Sequence, residues 1–330
     1  MKKVNLAIVG ATGMVGEQLV KVLQQRNFPF ATISFFSSSR SAGTKIEFNG
    51  ETYETEELTE ASFDRPIDIA LFSAGGAISG QYAPILASRD GVAIDNSSRF
   101  RMDPKVPLIV PEVNPWDVFK HNGIIANPNC STIQAVVALS PLHRAFGIRR
   151  IIYNTYQAVS GAGMAGVKDL EDGKRGEPPK KFPYPIADNV LPQVDVFTEN
   201  GYTGEEMKMI NETRKILGAP EMKITATCVR VPVFNSHSES INVEFENIFE
   251  IEEVEKILRG APGVVLQNDV RLGYPMAIAA SGTDYVYVGR IRRDESAANA
   301  LNMWVVADNL RKGAATNAVQ IAELLTAKGI

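Results

Sequence analysis

Two residues have the type and the setting for covalent or proton-transfer chemistry, Cys130 and His237, and a third, Gln157, has those for orienting a reactant. Cys130 lies in Asn127-Pro128-Asn129-Cys130-Ser131-Thr132, between apolar runs at residues 124–126 and 133–139. Pro128 disfavours helix at Asn127, and the short polar residues after it can cap a new one. Cys130 is therefore expected at or just before a helix N-terminus, where unpaired amides and the helix dipole favour the nucleophilic thiolate. A cysteine beside an apolar helix is as readily a small buried hydrophobe, so the choice rests on the rest of the chain. His237 lies among hydroxyls in Asn235-Ser236-His237-Ser238-Glu239-Ser240, ahead of an alternating strand at 241–245. Its ordinary pKa suits acid/base work near neutrality. His121, in a turn, and His143, on a helix tail, read as surface residues. Gln157 falls near the end of a long strand pattern, residues 148–159, where it can orient a carbonyl or a water.

Anion-binding candidates accompany them. Arg99 lies in the polar tail Asp95-Asn96-Ser97-Ser98-Arg99-Phe100-Arg101, which fits an anion contact and a solvated loop equally well. Residues 221–233 read as a strand on which Glu221 and Lys223 project to one side and Cys228 and Arg230 share a face. An acid and two bases on an apolar strand suit a polar ligand. A structural pair of Arg230 with Glu221 or Glu239 is the other reading. Cys228, among small and apolar neighbours, is expected to be structural.

A second constellation reads as a dinucleotide site. The strand at residues 4–9 runs into Gly10-Ala11-Thr12-Gly13-Met14-Val15-Gly16 and then a helix. Gly10 permits the tight turn, Gly13 a close approach to pyrophosphate and Gly16 close helix–strand packing, with Thr12, Met14 and Val15 supplying backbone around the phosphates. A turn that merely joins two elements is the alternative. The next strand, 32–36, ends in Ser37-Ser38-Ser39-Arg40-Ser41-Ala42-Gly43, without the acid that holds NAD ribose hydroxyls. Its hydroxyls, the Arg40 guanidinium and a flexible glycine suit a 2′-phosphate, so NADP is favoured over NAD, with a polar surface turn as the other reading; the family resemblance given below picks out Ser38 with Arg40 as the contacts. Ser73 and Gly75, at the end of strand 67–72, leave room for ligand, and Ser160 and Gly161 begin a second glycine-rich turn able to reach a cofactor.

These residues need elements to position them. Strands at 4–9, 32–36, 67–72, 92–94, 108–114 and 124–126, interleaved with helices such as 79–88, imply a parallel Rossmann-type sheet with its ligand at the strands' carboxyl ends. Beyond Cys130, strands at 148–159, 221–233, 241–245, 264–266 and 285–291, with helices at 204–217, 251–259 and 296–310, imply a second α+β domain on a mixed sheet. Residues 166–204, broken by five prolines, hold no clean period and read as a functional arm. A helix at 316–327 follows no strand and belongs with the N-terminal sheet. The expected division is therefore residues 1–129 plus 313–330 for the cofactor and 130–312 for catalysis and dimerisation.

The formal net charge of −4 gives no electrostatic reason to expect nucleic acid. Two cysteines and three histidines are too few for a disulfide framework or a metal cluster, so no metal is expected. No signal peptide and no membrane-spanning run is visible, and a cytoplasmic location is expected.

A cysteine nucleophile beside a nicotinamide limits the chemistry. A thiolate adds to an aldehyde, hydride loss gives a thioester, and phosphate resolves it as an acyl phosphate; the reverse reduces an acyl phosphate. His237 would serve the thiohemiacetal oxygen, amides near Cys130 the oxyanion, and Arg99, Lys223 and Arg230 the substrate's anionic groups. With these pieces in this order, the chain resembles the aspartate-β-semialdehyde dehydrogenase family, bacterial branch, over nearly its whole length. The resemblance is carried by Gly10 to Gly16, Ser38 to Gly43, Asn96 to Arg101, Asn127 to Thr132, Gln157 to Gly163 and Arg230 to His237. It implies a domain like that of the glyceraldehyde-phosphate dehydrogenases and a homodimer or dimer of dimers. It also implies NADPH-dependent reduction of L-4-aspartyl phosphate to L-aspartate 4-semialdehyde with release of phosphate, a step in lysine, methionine, threonine, isoleucine and diaminopimelate synthesis. Carried onto this chain, Cys130 is the acyl-forming nucleophile, His237 the acid/base and Gln157 the residue orienting the acyl group. Arg230 holds the substrate carboxylate, Glu221 its amine, and Arg99 and Lys223 its phosphate. N-acetylglutamyl-phosphate reductase, with related chemistry and no free amine on its substrate, is the rival reading.

Overall fold

The computed structural model describes residues 3–327; the expected domain ends at 1–2 and 328–330 lie outside the described residues. The chain divides into two compact units, Met1–Asn129 with Ala314–Ile330, and Cys130–Gly313.

The first unit begins with β1 (Val4–Val9), α1 (Met14–Gln25), β2 (Phe30–Ser37), the hairpin β3 (Lys45–Phe48) and β4 (Glu51–Glu54), and β5 (Glu56–Glu57). It continues with β6 (Ile69–Phe72), α2 (Gly76–Ala87), β7 (Val92–Asp95) and β8 (Ile124–Ala126). Six strands form a parallel sheet in the order β5-β2-β1-β6-β7-β8. The strands are apolar on both sides because both faces are covered, as all-parallel sheets require. One face packs Leu6, Ile8, Leu71 and Ile94 under Leu19 and Leu23 of α1, and the other packs Val9, Ala70 and Phe72 with Ala83 and Leu86 of α2. The strand and exit loop expected over residues 108–114 are corrected in the strand part. Only Leu108 bridges to Ala126, and the chain then turns, with the Val110 amide donating to Asn114 Oδ1 at 2.9 Å. Pro107 and Pro111 remove the donors that a longer ladder needs.

The second unit runs α3 (Cys130–Phe146), β9 (Ile148–Gln157), α4 (Met164–Gly173), α5 (Gly204–Leu217), β10 (Lys223–Arg230), β11 (His237–Phe245) and α6 (Ile251–Arg259). Next come β12 (Val264–Leu266), α7 (Ala277–Ala280), β13 (Val286–Asp294) and β14 (Ala300–Ala307). Its mixed sheet has the order β10-β9-β11-β14-β13-β12, with β10/β9 and β12/β13 parallel and the other pairs antiparallel. Two expectations are corrected here. Residues 296–310 are not helical: β14 lies between β11 and β13, with Leu301, Met303 and Val305 buried and Asn302 and Trp304 half-buried between them. That two-residue alternation, pinned by two antiparallel neighbours, overrides the helix propensity of the alanines before it. Residues 166–204 are not wholly irregular either, since α4 occupies their start; Val167 and Leu170 alone mark its apolar face.

From Gly313 the chain returns to the first unit through a π-helical turn, Arg311–Ala315, and ends its described part in α8 (Thr316–Ala327). Ala318, Val319, Ile321, Ala322 and Leu325 join the same core face as α1. The parallel sheet with a second mixed-sheet domain is thus the observed α/β architecture.

Candidate active site

In the first unit the glycine turn is backbone packed on backbone. Gly10 has φ +86°, and a Cβ at Gly16 would lie 2.2 Å from the Gly10 carbonyl oxygen. The amides of Gly10 and Ala11 donate to Phe36 O at 2.8 and 3.1 Å. Ser73 Oγ braces the turn from β6, donating to Val9 O at 3.1 Å and Gly10 O at 3.2 Å. Helix α1 starts after Gly13 with no side-chain cap. Its first-turn amides at Met14, Val15 and Gly16 are therefore available to an anion, and Thr12 sits beside them. Gly75 opens α2 at the neighbouring strand end, again with no side-chain cap. Ser38 and Arg40 are exposed after β2, where Ser38 O accepts the amides of Ser41 and Ala42. Among the described residues Arg40 has no ion pair. An amide cradle plus an exposed guanidinium fits a phosphorylated dinucleotide.

Two further loops of this unit are built by buried polar groups. Asp95 accepts from Ser79 Oγ (2.6 Å), Ser97 N (2.9 Å) and Ser97 Oγ (2.7 Å), which shapes the tail bearing Arg99. Arg99 is exposed, lies 5.8 Å from the centre of the Phe100 ring and has no ion pair among the described residues. Arg101 Nε donates to Asn127 O at 3.0 Å. The Asn127 side chain, fully buried, donates to Asn96 Oδ1 at 2.6 Å and accepts from Asn317 Nδ2 at 2.7 Å. The peptide leading to Cys130 is therefore fixed before the helix begins.

In the second unit Cys130 is the first residue of α3 and is half-buried. A Cβ at Gly313 would lie 2.9 Å from Cys130 Cβ, so only glycine leaves space there. Cys130 also sits close enough to Arg230 for a thiolate to stabilise the guanidinium's charge. One turn along α3, Gln134 Nε2 donates to the His237 carbonyl at 3.3 Å and ties the helix to the first residue of β11.

His237 is fully buried, and its Nδ1 accepts the Ala158 amide at 3.0 Å. That bond places the ring hydrogen on Nε2, which has no partner among the described residues. Burial, reinforced by the nearby Arg230, holds the imidazole well below its ordinary pKa, so it is neutral at pH 7. Arg230, 5 % exposed, donates from Nη1 to Ala158 O at 2.7 Å, and its Nε has no partner among the described residues. A Cβ at Gly161 would meet Arg230 Nη1 at 2.9 Å and His237 Nε2 at 3.1 Å. Gly161 therefore packs against the catalytic candidates themselves, while Ser160 Oγ is tied to Asn235 and Asn309. Gln157 donates to Glu205 Oε1 at 3.0 Å and accepts from Thr155 Oγ1 at 3.2 Å.

Glu221 and Lys223 are not brought to this cluster. Glu221 precedes β10, Lys223 is its first residue and Arg230 its last, so Lys223 and Arg230 are roughly 23 Å apart at about 3.3 Å per residue. Both are exposed. The acid and base that do reach the cluster are Glu205 and Lys208 on α5. Lys208 Nζ lies 3.2 Å from Glu205 and 2.7 Å from Asp195. Burial opposes its charge, but the two carboxylates outweigh burial and raise its pKa. Glu205 also supports the charge on Arg230. The sequence carried a signal for this: Glu205 shares the helical phase of Met209, Glu212 and Ile216, so the apolar face of α5 begins with an acid. His121 and His143, expected at the surface, are half-buried, and each accepts a backbone amide at Nδ1, from Gly123 and Ile148 respectively. Cys228 is fully buried, and burial raises its thiol pKa.

Two family models match. Residues 5–121 match "Semialdehyde dehydrogenase, NAD binding domain" and residues 139–312 match "Semialdehyde dehydrogenase, dimerisation domain". The chain is 54 % identical to aspartate-semialdehyde dehydrogenase of Aquifex aeolicus, with 99 % of each chain covered. It is similar to a crystal structure of aspartate semialdehyde dehydrogenase II from Vibrio cholerae complexed with ASA, at TM-score 0.96 and 47 % identity, covering 100 % of both. It is also similar to the Candida albicans enzyme solved with NADP, at TM-score 0.75 and 28 % identity, covering 99 % of both.

Proposed function

The chain belongs to the aspartate-semialdehyde dehydrogenase family, and on that premise we propose that it reduces L-4-aspartyl phosphate to L-aspartate 4-semialdehyde with NADPH, releasing phosphate. The observation that carries the reading is the buried cluster in which Cys130 opens α3, His237 keeps Nε2 free and Arg230 keeps a free donor.

Cys130 Sγ attacks the acyl carbon, the bond from that carbon to the phosphate oxygen breaks, and a thioester on Cys130 remains. The glycine turn with Ser38 and Arg40 would hold NADPH, which when bound supplies the hydride for the thioester carbon. His237 donates from Nε2–H to the acyl oxygen as negative charge builds there; a neutral imidazole suffices as that donor. Collapse of the tetrahedral species then expels the Cys130 thiolate and frees the aldehyde, with no proton left over. Arg230 holds the substrate carboxylate by a bidentate contact. Glu205 takes the role of amine partner first given to Glu221, and Lys208 the phosphate role first given to Lys223, with Arg99 as the other phosphate contact. Gln157, held by Thr155 and Glu205, orients the acyl group. A carboxylate at Glu205 favours a free amine over an acylated one, which argues against N-acetylglutamyl-phosphate. A homodimer in the cytoplasm is the proposed assembly and location.

The test follows reduced nicotinamide by absorbance while the protein is given L-aspartate semialdehyde, phosphate and NADP, with N-acetylglutamate semialdehyde in parallel. Phosphate-dependent reduction with the first substrate alone is expected; turnover of the acetylated substrate alone overturns the pocket assignment. Arg40→Ala is expected to raise KM for NADPH by about tenfold and to leave KM for NADH within about twofold. Equal effects would remove the argument for NADP.

A further inference from the structure

We propose that Asp169 is a positioning residue for the substrate-carboxylate site, acting through the backbone of residues 180–182 to hold the Phe182 ring on the Arg230 guanidinium. The inference rests on the reading of Arg230 as the carboxylate clamp.

Asp169 lies on α4 and is 3 % exposed. Its carboxylate accepts three consecutive amides: Lys180 N at 2.9 Å, Lys181 N at 2.7 Å and Phe182 N at 2.8 Å. Pro179 and Pro183 flank this stretch, so the chain between them has three amide hydrogens and Asp169 takes all three. Charge-assisted bonds of this kind are the strong ones. Burial alone would raise the carboxyl's pKa, yet the three amides hold it below the ordinary value. The side chains of Lys180 and Lys181 are exposed, so the backbone is what Asp169 grips.

Phe182 is what that grip places. Its ring centre lies 5.8 Å from Arg230 Cζ. A Cβ at Gly166 would come within 3.1 Å of the ring tip, so α4 supplies the floor of the ring as well as its anchor three residues later. Farther along the segment, the Leu191 amide donates to Arg230 O at 2.9 Å and the Arg230 amide to Leu191 O at 2.8 Å. The segment thus fixes the backbone of Arg230 at one point and its guanidinium at another. With Nη1 on Ala158 O and the guanidinium carbon over the Phe182 ring, the Nε edge, which has no partner among the described residues, is preset for a planar carboxylate. A pre-organised clamp of this kind changes substrate binding and leaves the chemical step alone.

A double-mutant cycle on the full chain tests this. Asp169→Ala and Phe182→Leu are each expected to raise KM for L-aspartate semialdehyde about 5- to 10-fold, with kcat and the KM values for phosphate and NADP within about twofold. The double variant should be no worse than Phe182→Leu alone, because the two residues act as a unit. Amide exchange at residues 180–182 should accelerate in Asp169→Ala. Additive effects on KM, a fall in kcat at unchanged KM, or undiminished amide protection would overturn the proposal. If Asp169→Ala does not fold, Asp169→Asn, which keeps one acceptor oxygen, runs the same cycle. Arg230→Lys separates the two layers. An unchanged semialdehyde KM in that variant removes the clamp reading, whereas the amide exchange still judges whether Asp169 holds the segment.

Discussion

Glu239 shows how costly the interior around the candidate site is at the scale of one residue. It is fully buried, and neither carboxyl oxygen has a hydrogen-bond partner among the described residues. Burial first, and Glu205 second, raise its pKa well above 4.5, so the folded protein holds a proton that the unfolded chain releases. The stability tied to that proton is fully present below about pH 4.5 and is lost as pH rises towards the folded value. His237 works on the other flank. Its folded pKa lies well below 6.5, so the unfolded chain binds the extra proton and stability falls as pH drops below about 6.5. Glu239→Gln, neutral at every pH, is expected to gain Tm relative to wild type at pH 8, by about 2–4 °C more than at pH 5. Calorimetry at the two pH values reads this, and an equal change at both would show that Glu239 is charged in the fold. Cys130→Ala should lower kcat at least about 10³-fold while circular dichroism and NADPH binding stay at wild-type levels, because the thiol is half-buried and its loss is chemical. A drop of less than about tenfold removes its role as nucleophile. The helix start at Cys130 was legible because Pro128 and the polar residues after it announce it. The proximity of Glu205 to Gln157 and Arg230 was not read, because a local period reports which residues share a face but not which end of a strand they meet.

At the scale of elements, side-chain amides tie the Cys130 loop to a distant helix. Asn317 on α8 donates to Ile109 O at 2.9 Å and to Asn127 Oδ1 at 2.7 Å, and both asparagines are fully buried. Asn317→Leu leaves two buried acceptors short of a donor, which costs about 2–4 kcal/mol. A lower urea midpoint at an unchanged m-value is the expected result, and a shift worth less than about 0.5 kcal/mol would mean the contacts are replaceable. Such a bond links residues nearly two hundred positions apart, so nothing in the local pattern announces it. The elements whose caps are local were the readable ones. Helix α5 begins with a capping box between Thr203 and Glu206 and ends at Gly218 in the left-handed region. Strand β14 was read as helix because pairing on both sides, with β13 just before it and with β11 more than fifty residues earlier, decides its state.

At the scale of the molecule, the first unit is discontinuous, and α8 closes its core from the far side of the second unit's sequence. A chain ending after Gly313 would leave the apolar face of β1, β6 and β7 partly uncovered. It should lose NADPH binding and bind a hydrophobic dye, while retention of NADPH affinity within about twofold would show that α8 is dispensable. The expected return of α8 to the first unit rested on its following no strand, and β14 in fact precedes it. Synthesis runs from one end, and at about 5–20 residues per second roughly 10–40 s separate Asn129 from Ala327. For that interval one face of the nascent parallel sheet lacks one of its two covering helices while the whole second unit is made and can fold. The cofactor unit, first to leave the ribosome, is thus the last to mature, and it waits for that helix with a greasy surface that chaperones can recognise.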